Sequence, residues 1–360
     1  MPEENSKTKN QDKELEDFLV QSLPKIMVVG IGGSGNNTLA RMNKIGIDGA
    51  ELVAFNTDAQ SLISSIADKK LLLGKKSTKG LGAGSNPEVG EKAAEESIED
   101  IKMLLTGYDM VFITCGLGGG TGTGAAPVTA KVAKELGALT IGVVTLPFAV
   151  EGKIRIENAL VGLEKLKKNV DTLIVIPNDK ILEMTPNLPL QLAFQEVDKV
   201  LTYAVKGIVE LVTKAGIINL DFADLKTVLS KGGVAMIGVG ESTVDKPNDV
   251  RAIEATEAAL TSPLLDIDIS GAKKALINVI GGNDLTLKEA ELVVETVASR
   301  IHEDAHIIWG AMIDENLAKK IVKVMVVISG ATIPFLEGTE SYSENTYKDE
   351  EPVDYGVAEI

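Results

Sequence analysis

One cysteine, Cys115, stands in 360 residues. No intrachain disulfide can form, which fits a reducing cytoplasm. With no histidine near it in sequence, Cys115 reads as a small packing residue rather than a nucleophile. No apolar run approaches the ~20 residues needed to span a bilayer. The opening Met1-Pro2-Glu3-Glu4-Asn5 lacks the apolar core of a signal peptide, so no direct membrane insertion is expected. A basic surplus is missing too: 36 Lys and Arg face 52 Asp and Glu, a net charge of −16. Nucleic acid is held through its phosphates by a basic surface, and is therefore not an expected partner. Gly-x-x-x-x-Gly-Lys-Ser/Thr occurs nowhere. That excludes a P-loop NTPase with a phosphate-binding lysine. Any phosphate site here relies on backbone amides, hydroxyls and a metal.

Glycine is what the chain has in quantity, 35 residues of it. The densest stretch is Gly116-Leu117-Gly118-Gly119-Gly120-Thr121-Gly122-Thr123-Gly124. The apolar run 110–114 ahead of it predicts a buried strand, and 125–136 after it predicts a helix. Glycines on a strand-to-helix turn let backbone N–H groups approach a ligand unobstructed. Successive N–H groups form an anion nest, and the helix dipole adds positive charge. A flexible linker would not be wedged between a buried strand and a helix. Phosphate is the ligand this points to.

Alternation continues on both sides. Strands are predicted at 25–29, 52–55, 70–73, 139–146 and 172–176. Helices are predicted up to residue 45, then over 87–105 (Asn86 capping, Pro87 in the first turn) and 154–168. Turns at 30–37, 56–58, 80–87 and 177–179 are rich in glycine, Asn or Asp. This is the pattern of a parallel sheet covered by helices on both faces, with ligands at its carboxyl edge. The longest helical pattern, 189–214, has apolar residues on several faces and predicts burial between two layers. Asp198 interrupts it, as either a solvated flank or a ligand contact. Beyond it, 222–230, 250–260 and 286–300 read as helices and 234–239, 275–280, 307–313 and 321–328 as strands. The expected fold class is α/β: a parallel-sheet nucleotide-binding domain joined by a long central helix to a smaller α/β domain with a mostly β core. The boundaries are a polar extension at 1–22 with a short helix over 12–22, a first domain at 23–189, the helix at 190–215, a second domain at 216–335 and an acidic tail at 336–360. Residues 337–360 carry eight acids against Lys348 alone, a composition that favours disorder.

Three motifs have rivals. Gly30, Gly32 and Gly35 fit a dinucleotide fingerprint, but Asn56-Thr57-Asp58 stands where an acid for ribose hydroxyls is wanted, and two glycine loops stay unexplained. His302-Glu303-Asp304-Ala305-His306 matches a zinc-protease pattern, which needs both histidines on one helix face; a strand-like run begins directly after His306, so a turn is expected. Asp221, with Asp224 three residues on, reads as a helix cap, a role that would also fix both carboxylates in place.

In this order, the motifs resemble the tubulin/FtsZ family. Gly118 to Gly124 looks like its signature. It is joined by Gly30 to Asn37, Asn56-Thr57-Asp58, Gly80 to Pro87, Pro147-Phe148 with Glu151-Gly152-Lys153, Pro177-Asn178-Asp179 and Asn219 to Asp224. The resemblance covers residues 25–333. It is to the prokaryotic cell-division GTPases of the FtsZ type, with an archaeal rather than bacterial tail. It implies a tubulin/FtsZ-like fold, GTP and GDP as ligands, and Mg²⁺ held mainly through the phosphates with no side chain assigned to it. The implied nucleotide residues are Gly32, Gly33, Ser34, Asn36 and Asn37; Asn56 and Asp58; Gly82, Ala83 and Gly84; Gly118, Gly119, Gly120, Thr121, Gly122 and Thr123; and Pro147. Glu151 and Arg155 would meet the ribose, and Asn37 and Asp198 the guanine. A carboxylate accepts from guanine N1–H and its amino group, whereas adenine offers an acceptor at N1. Asp221 and Asp224 would be the catalytic acids, supplied in trans to a neighbour's GTP. The chain would polymerise head-to-tail into cytoskeletal filaments of the cytoplasmic midcell division ring. The tail, ending in Tyr355 to Ile360, would dock a membrane-adaptor protein. The alternative is a GTP-dependent scaffold with incidental hydrolysis, in which Asp221 and Asp224 only cap.

Overall fold

A computed structural model describes residues 23–330, apart from 185–187, 215, 219, 244–245, 266, 316 and 318–319. The N-terminal extension with its expected helix, Asn219 and the acidic tail lie outside the described residues. Ten strands form one sheet in the order β3-β2-β1-β4-β5-β6-β7-β10-β8-β9. The first six are β1 (Ile26–Ile31), β2 (Ala50–Asn56), β3 (Lys69–Leu72), β4 (Met110–Gly116), β5 (Leu139–Leu146) and β6 (Thr172–Pro177), all parallel. β1 and β4 are buried almost throughout, as expected of strands covered on both faces.

β7 (Gly233–Glu241) joins β6 through three parallel pairs, from Thr172↔Gly233 to Ile174↔Ala235. β10 (Val322–Ser329) runs antiparallel between β7 and β8 (Lys274–Gly281), and β9 (His306–Ile313) pairs β8 in parallel. The result is the expected α/β architecture of a parallel-sheet unit and a smaller, strand-rich one. Between them runs the central helix Leu190–Thr213. Its stripe of Val197, Leu201, Ala204, Val205, Ile208 and Val209 is buried in a core that takes Val28 and Ile141 from one unit and Leu276 and Ile308 from the other.

Three differences from the sequence reading have local causes. Residues 87–105 make two helices, Pro87–Glu96 and Ile98–Leu105, broken at Ser97. The Ser97 hydroxyl donates to Ala93 O at 3.0 Å and accepts from Gly74 N–H at 3.0 Å, so it competes with the helix ladder. The helix after the central glycines starts at Thr121 instead of residue 125, inside the glycine run. Helices Ala59–Ser64 and Asn178–Met184 are too short to show a period. His302 and His306 share no helix: the preceding one ends at Ala298 and β9 starts at His306.

The smaller unit is tied by a buried guanidinium. Arg251, fully buried, donates to Glu289 at 2.5 and 3.1 Å and to Asp284 Oδ2 at 2.7 Å. Burial alone would raise the Glu289 pKa, but the Arg251 and Thr286 hydrogen bonds outweigh it and hold the carboxyl below its ordinary 4.5. Its stabilising effect is therefore complete above pH 4.5 and lost as pH falls through the lower folded value. Glu289→Ala should cost about 3 kcal/mol by urea unfolding, because it removes the buried partner of a fully buried cation and leaves only Asp284 to pair it. Replacing both partners, Arg251→Met with Glu289→Leu, should cost far less. Equal losses would show that packing, not charge pairing, holds this corner.

Candidate functional site

A cavity of about 600 Å³ opens at the carboxyl edge of β1, β4 and β5. Two helix N-termini face it. The helix Gly32–Ile45 follows β1 without a loop, because Gly32 takes φ +74°. The second is Thr121–Glu135. Neither has a side-chain cap, so first-turn N–H groups are left for an anion. They are close neighbours: a Cβ on Gly32 would stand 3.1 Å from Gly122 N. Gly32, Gly33, Ser34 and Asn37 line the cavity from the first turn, and Gly119, Gly120, Thr121 and Gly122 from the second.

The third loop, 80–86, is packed onto the second. A Cβ on Gly120 would be 2.8 Å from Ala83 Cβ and 2.9 Å from Asn86 N. Ser85, at φ 60°, reaches the cavity. Gly82, Ala83 and Gly84 do not line it; Gly82 N–H is bonded to Thr57 O at 3.1 Å and Ala83 is buried. Other residues implied by the resemblance support the loops from beneath. Asn36 is buried and, with its amide oriented to suit its neighbours, donates to Gly30 O and Gly32 O and accepts from Ser65 and Asn56. Asn56 accepts from Asp58 N–H at 3.2 Å, and Asp58 caps Ala59–Ser64 through Ser61 N–H at 2.8 Å. Thr123 is buried and accepts from Gly118 N–H at 2.8 Å. Gly118 has φ +101°, and a Cβ there would meet Arg155 O at 2.7 Å.

The far end of the cavity is formed by Pro147, Glu151, Arg155 and the start of the central helix. Arg155 pairs with Glu151, whose other oxygen accepts from Phe148 N–H at 2.9 Å. Arg155 is the one cation among the described lining residues. Asp198 accepts from the Thr38 hydroxyl at 2.9 Å. Burial raises its pKa above the ordinary 3.8, against the opposing pull of Thr38 and of Arg41. Phe194 and Asn178 are among the lining residues that the sequence reading did not name as site residues. Phe194, read only as part of an apolar stripe, is 43 % exposed here and packs edge-on to Phe148 with ring centroids 5.0 Å apart. Asn178 is buried and its Oδ1 has no partner; in the sequence it stood out only within the turn Pro177-Asn178-Asp179, with no role assigned to it.

Asp221 and Asp224 are not in this cavity. Asp221 caps the helix Phe222–Leu229, accepting from Asp224 N–H at 2.7 Å, and both side chains are exposed.

Residues 25–186 match the Tubulin/FtsZ family, GTPase domain, and the chain is a tubulin-like GTPase. Residues 233–332 match the FtsZ family, C-terminal domain. "Cell division protein FtsZ 1" of Methanocaldococcus jannaschii is 60% identical over 320 residues, 89% of this chain and 86% of that one. Its namesake in Thermococcus kodakarensis is 56% identical over 340 residues, 94% and 89% of the two chains. The solved M. jannaschii "FtsZ dimer, empty" superposes with a TM-score of 0.84, covering 89% of this chain and 92% of that one. CetZ1 of Haloferax volcanii, at 24% identity and a TM-score of 0.77 over 88% of this chain and 98% of that one, shares the fold. The chain belongs to the FtsZ family of cell-division proteins.

Thr123→Val keeps the side chain's shape but leaves a buried N–H unpaired on Gly118. It should weaken binding of a phosphate-bearing ligand by about 1–3 kcal/mol in calorimetry. Unchanged affinity would show that the hydroxyl does not hold the loop.

Proposed function

We propose that the chain binds GTP in this cavity, polymerises head-to-tail and hydrolyses the GTP between subunits. The carrying observation is the separation of the acids from the cavity. The two carboxylates lining it are engaged, Asp198 by Thr38 and Glu151 by Arg155 and Phe148 N–H. Both stand at the far end of the cavity, apart from the two uncapped helix N-termini. The other pair, Asp221 and Asp224, stands exposed on another surface. Supplied by a neighbouring copy, it would complete the site. Repetition of such a head-to-tail contact does not close and gives a filament.

Each end of the cavity suits one end of GTP. The two uncapped helix N-termini and their glycine turns receive the phosphates. Asp198 accepts from guanine N1–H and amino group, Asn178 offers its unpartnered oxygen, and Phe194 supplies an apolar ring for the base. Glu151 and Arg155 lie beside the ribose. With one cation lining the cavity, already paired, the phosphate charge needs a metal. Ser34 and Thr121 offer hydroxyls there and no unpaired carboxylate is at hand among the described lining residues, a donor set that fits Mg²⁺ held mainly through the phosphates. Bound, the ion offsets triphosphate charge. Asp221 and Asp224 of the neighbour orient and polarise the attacking water, so that rate comes from positioning and electrostatics. The filament would serve the midcell division ring, with the terminal segment as the link to a membrane adaptor; that segment lies outside the described residues. Among the described residues no helix is long and apolar enough to cross a membrane.

Asp224→Ala should bind GTP normally and still assemble, while phosphate release falls by about 10²–10³-fold, the scale for losing one positioned polar group. A monomeric variant with full turnover would sink catalysis in trans. Asp198→Ala should weaken GTP binding by about 1.5–3 kcal/mol. Because burial raises the Asp198 pKa, GTP affinity of the native chain should drop on acidification before an ordinary Asp would titrate; calorimetry across pH reads both effects, and a flat profile removes Asp198 from base recognition.

A further inference from the structure

The last described residues, Ser329 and Gly330, end β10 beside three lysines. Ser329 is in register with Lys274 of β8 on one side and Ala235 of β7 on the other. Its carbonyl accepts from Lys273 N–H at 3.2 Å, and a Cβ on Gly330 would stand 3.4 Å from Lys273. Lys231 lies on the turn from Phe222–Leu229 into β7. Lys231 and Lys273 are exposed and Lys274 is half-buried. The Lys274 ammonium donates to Ser230 O at 2.8 Å and Thr227 O at 3.4 Å, capping the carboxyl end of the helix that carries Asp221 and Asp224. Burial and then the Lys231 charge hold its pKa below the ordinary lysine value.

No described carboxylate is within ion-pair distance of any of the three. Glu303 and Asp304, on the turn that His302 N–H ties to Ala272 O at 3.3 Å, form no ion pair with them. A chain of net charge −16 thus leaves a positive edge without a described carboxylate partner at the point where the described residues end.

The segment that continues from Gly330 has the opposite charge, with eight acids in 337–360. The first, Glu337, is seven residues on, an r.m.s. reach of about 15 Å for a flexible chain. Tethering at that length keeps the effective concentration near millimolar, so contacts that are weak singly suffice together. We propose that segment 337–360 folds back onto Lys231, Lys273 and Lys274 of the same subunit. The docked acids then lie against the carboxyl end of the helix Phe222–Leu229, next to the surface that offers Asp221 and Asp224 to a neighbour, and oppose assembly until they are drawn away. That consequence rests on the proposed function; the docking itself does not.

The full chain supplies its own probe. Trp309, the single tryptophan, sits on β9 three residues from His306, which pairs with Lys274. Val353→Cys is labelled with an acceptor of tryptophan emission, the buried Cys115 being out of reach. No nucleotide is needed, so failure of docking is distinct from failure of the GTPase reading. Energy transfer at about 0.05 M salt should fall at least about twofold at about 0.5 M salt, where the screening length is shorter. It should fall equally in Lys231→Glu/Lys273→Glu at low salt, and return when Asp349→Lys, Glu350→Lys and Glu351→Lys are added in that background. If the body variant does not fold, the tail reversal alone should give the same loss. Unchanged transfer in a folded variant overturns the proposal. Transfer that vanishes on dilution assigns the tail to another copy and overturns docking within one subunit.

Discussion

The site depends on how closely two stretches of backbone approach. Pro87 O lies where a Cβ on Gly124 would be 2.0 Å away, and Gly120 O where one on Gly90 would be 2.3 Å away. Only glycine tolerates these contacts. They press the helix Pro87–Glu96 against Thr121–Glu135 and thereby seat the loop 80–86 on the loop 116–120. A further approach, a Cβ on Gly35 falling 2.5 Å from Thr114 O, sets the first helix against β4. Three loops from distant parts of the sequence therefore meet at one sheet edge at close to backbone distance. The candidate anion site that results offers backbone and helix ends where a P-loop offers a lysine.

The central helix connects this edge to the opposite surface. Twenty-four residues make it about 36 Å long. Phe194 and Asp198 face the cavity near its start. At its end Lys214 pairs with Asp48 at 2.9 Å and Glu210 at 2.6 Å, while Lys206 donates to Gly46 O at 2.9 Å. A few residues later Ile217 and Ile218 bond Ala311 of β9, and Asp221 caps the next helix. One buried rod therefore places the cavity-lining Phe194 and Asp198 at one end of the subunit and the exposed acids beyond the other. On the proposed function, each end of such a subunit is half of a site.

Much of this was legible in the sequence, because the informative residues act through backbone geometry. The glycine turns, strand runs and central helix all announce themselves in periodicity or composition, and the motif order carried the family. What stayed hidden is tertiary. Ser97 reads as an ordinary helix residue until Gly74 N–H is found bonded to it. Asn36, Asn56, Asp58 and Thr123 belong to the right loops, yet spend their polar groups holding those loops together. Phe194 is one apolar residue in a stripe, and only the cavity shows that it is exposed where Val197 is buried. Lys231, Lys273 and Lys274 are far apart in two segments and become one positive edge through the pairing of β10 with β7 and β8.

The central claim is that the hydrolytic site is assembled from two subunits. Phosphate release from GTP, with ATP as control, measured at rising protein concentration, tests it most directly. The account predicts a rate per subunit near zero when dilute that climbs past a threshold, with GTP only. A rate per subunit that is flat with concentration would mean that each monomer hydrolyses alone, and that Asp221 and Asp224 have been given the wrong role.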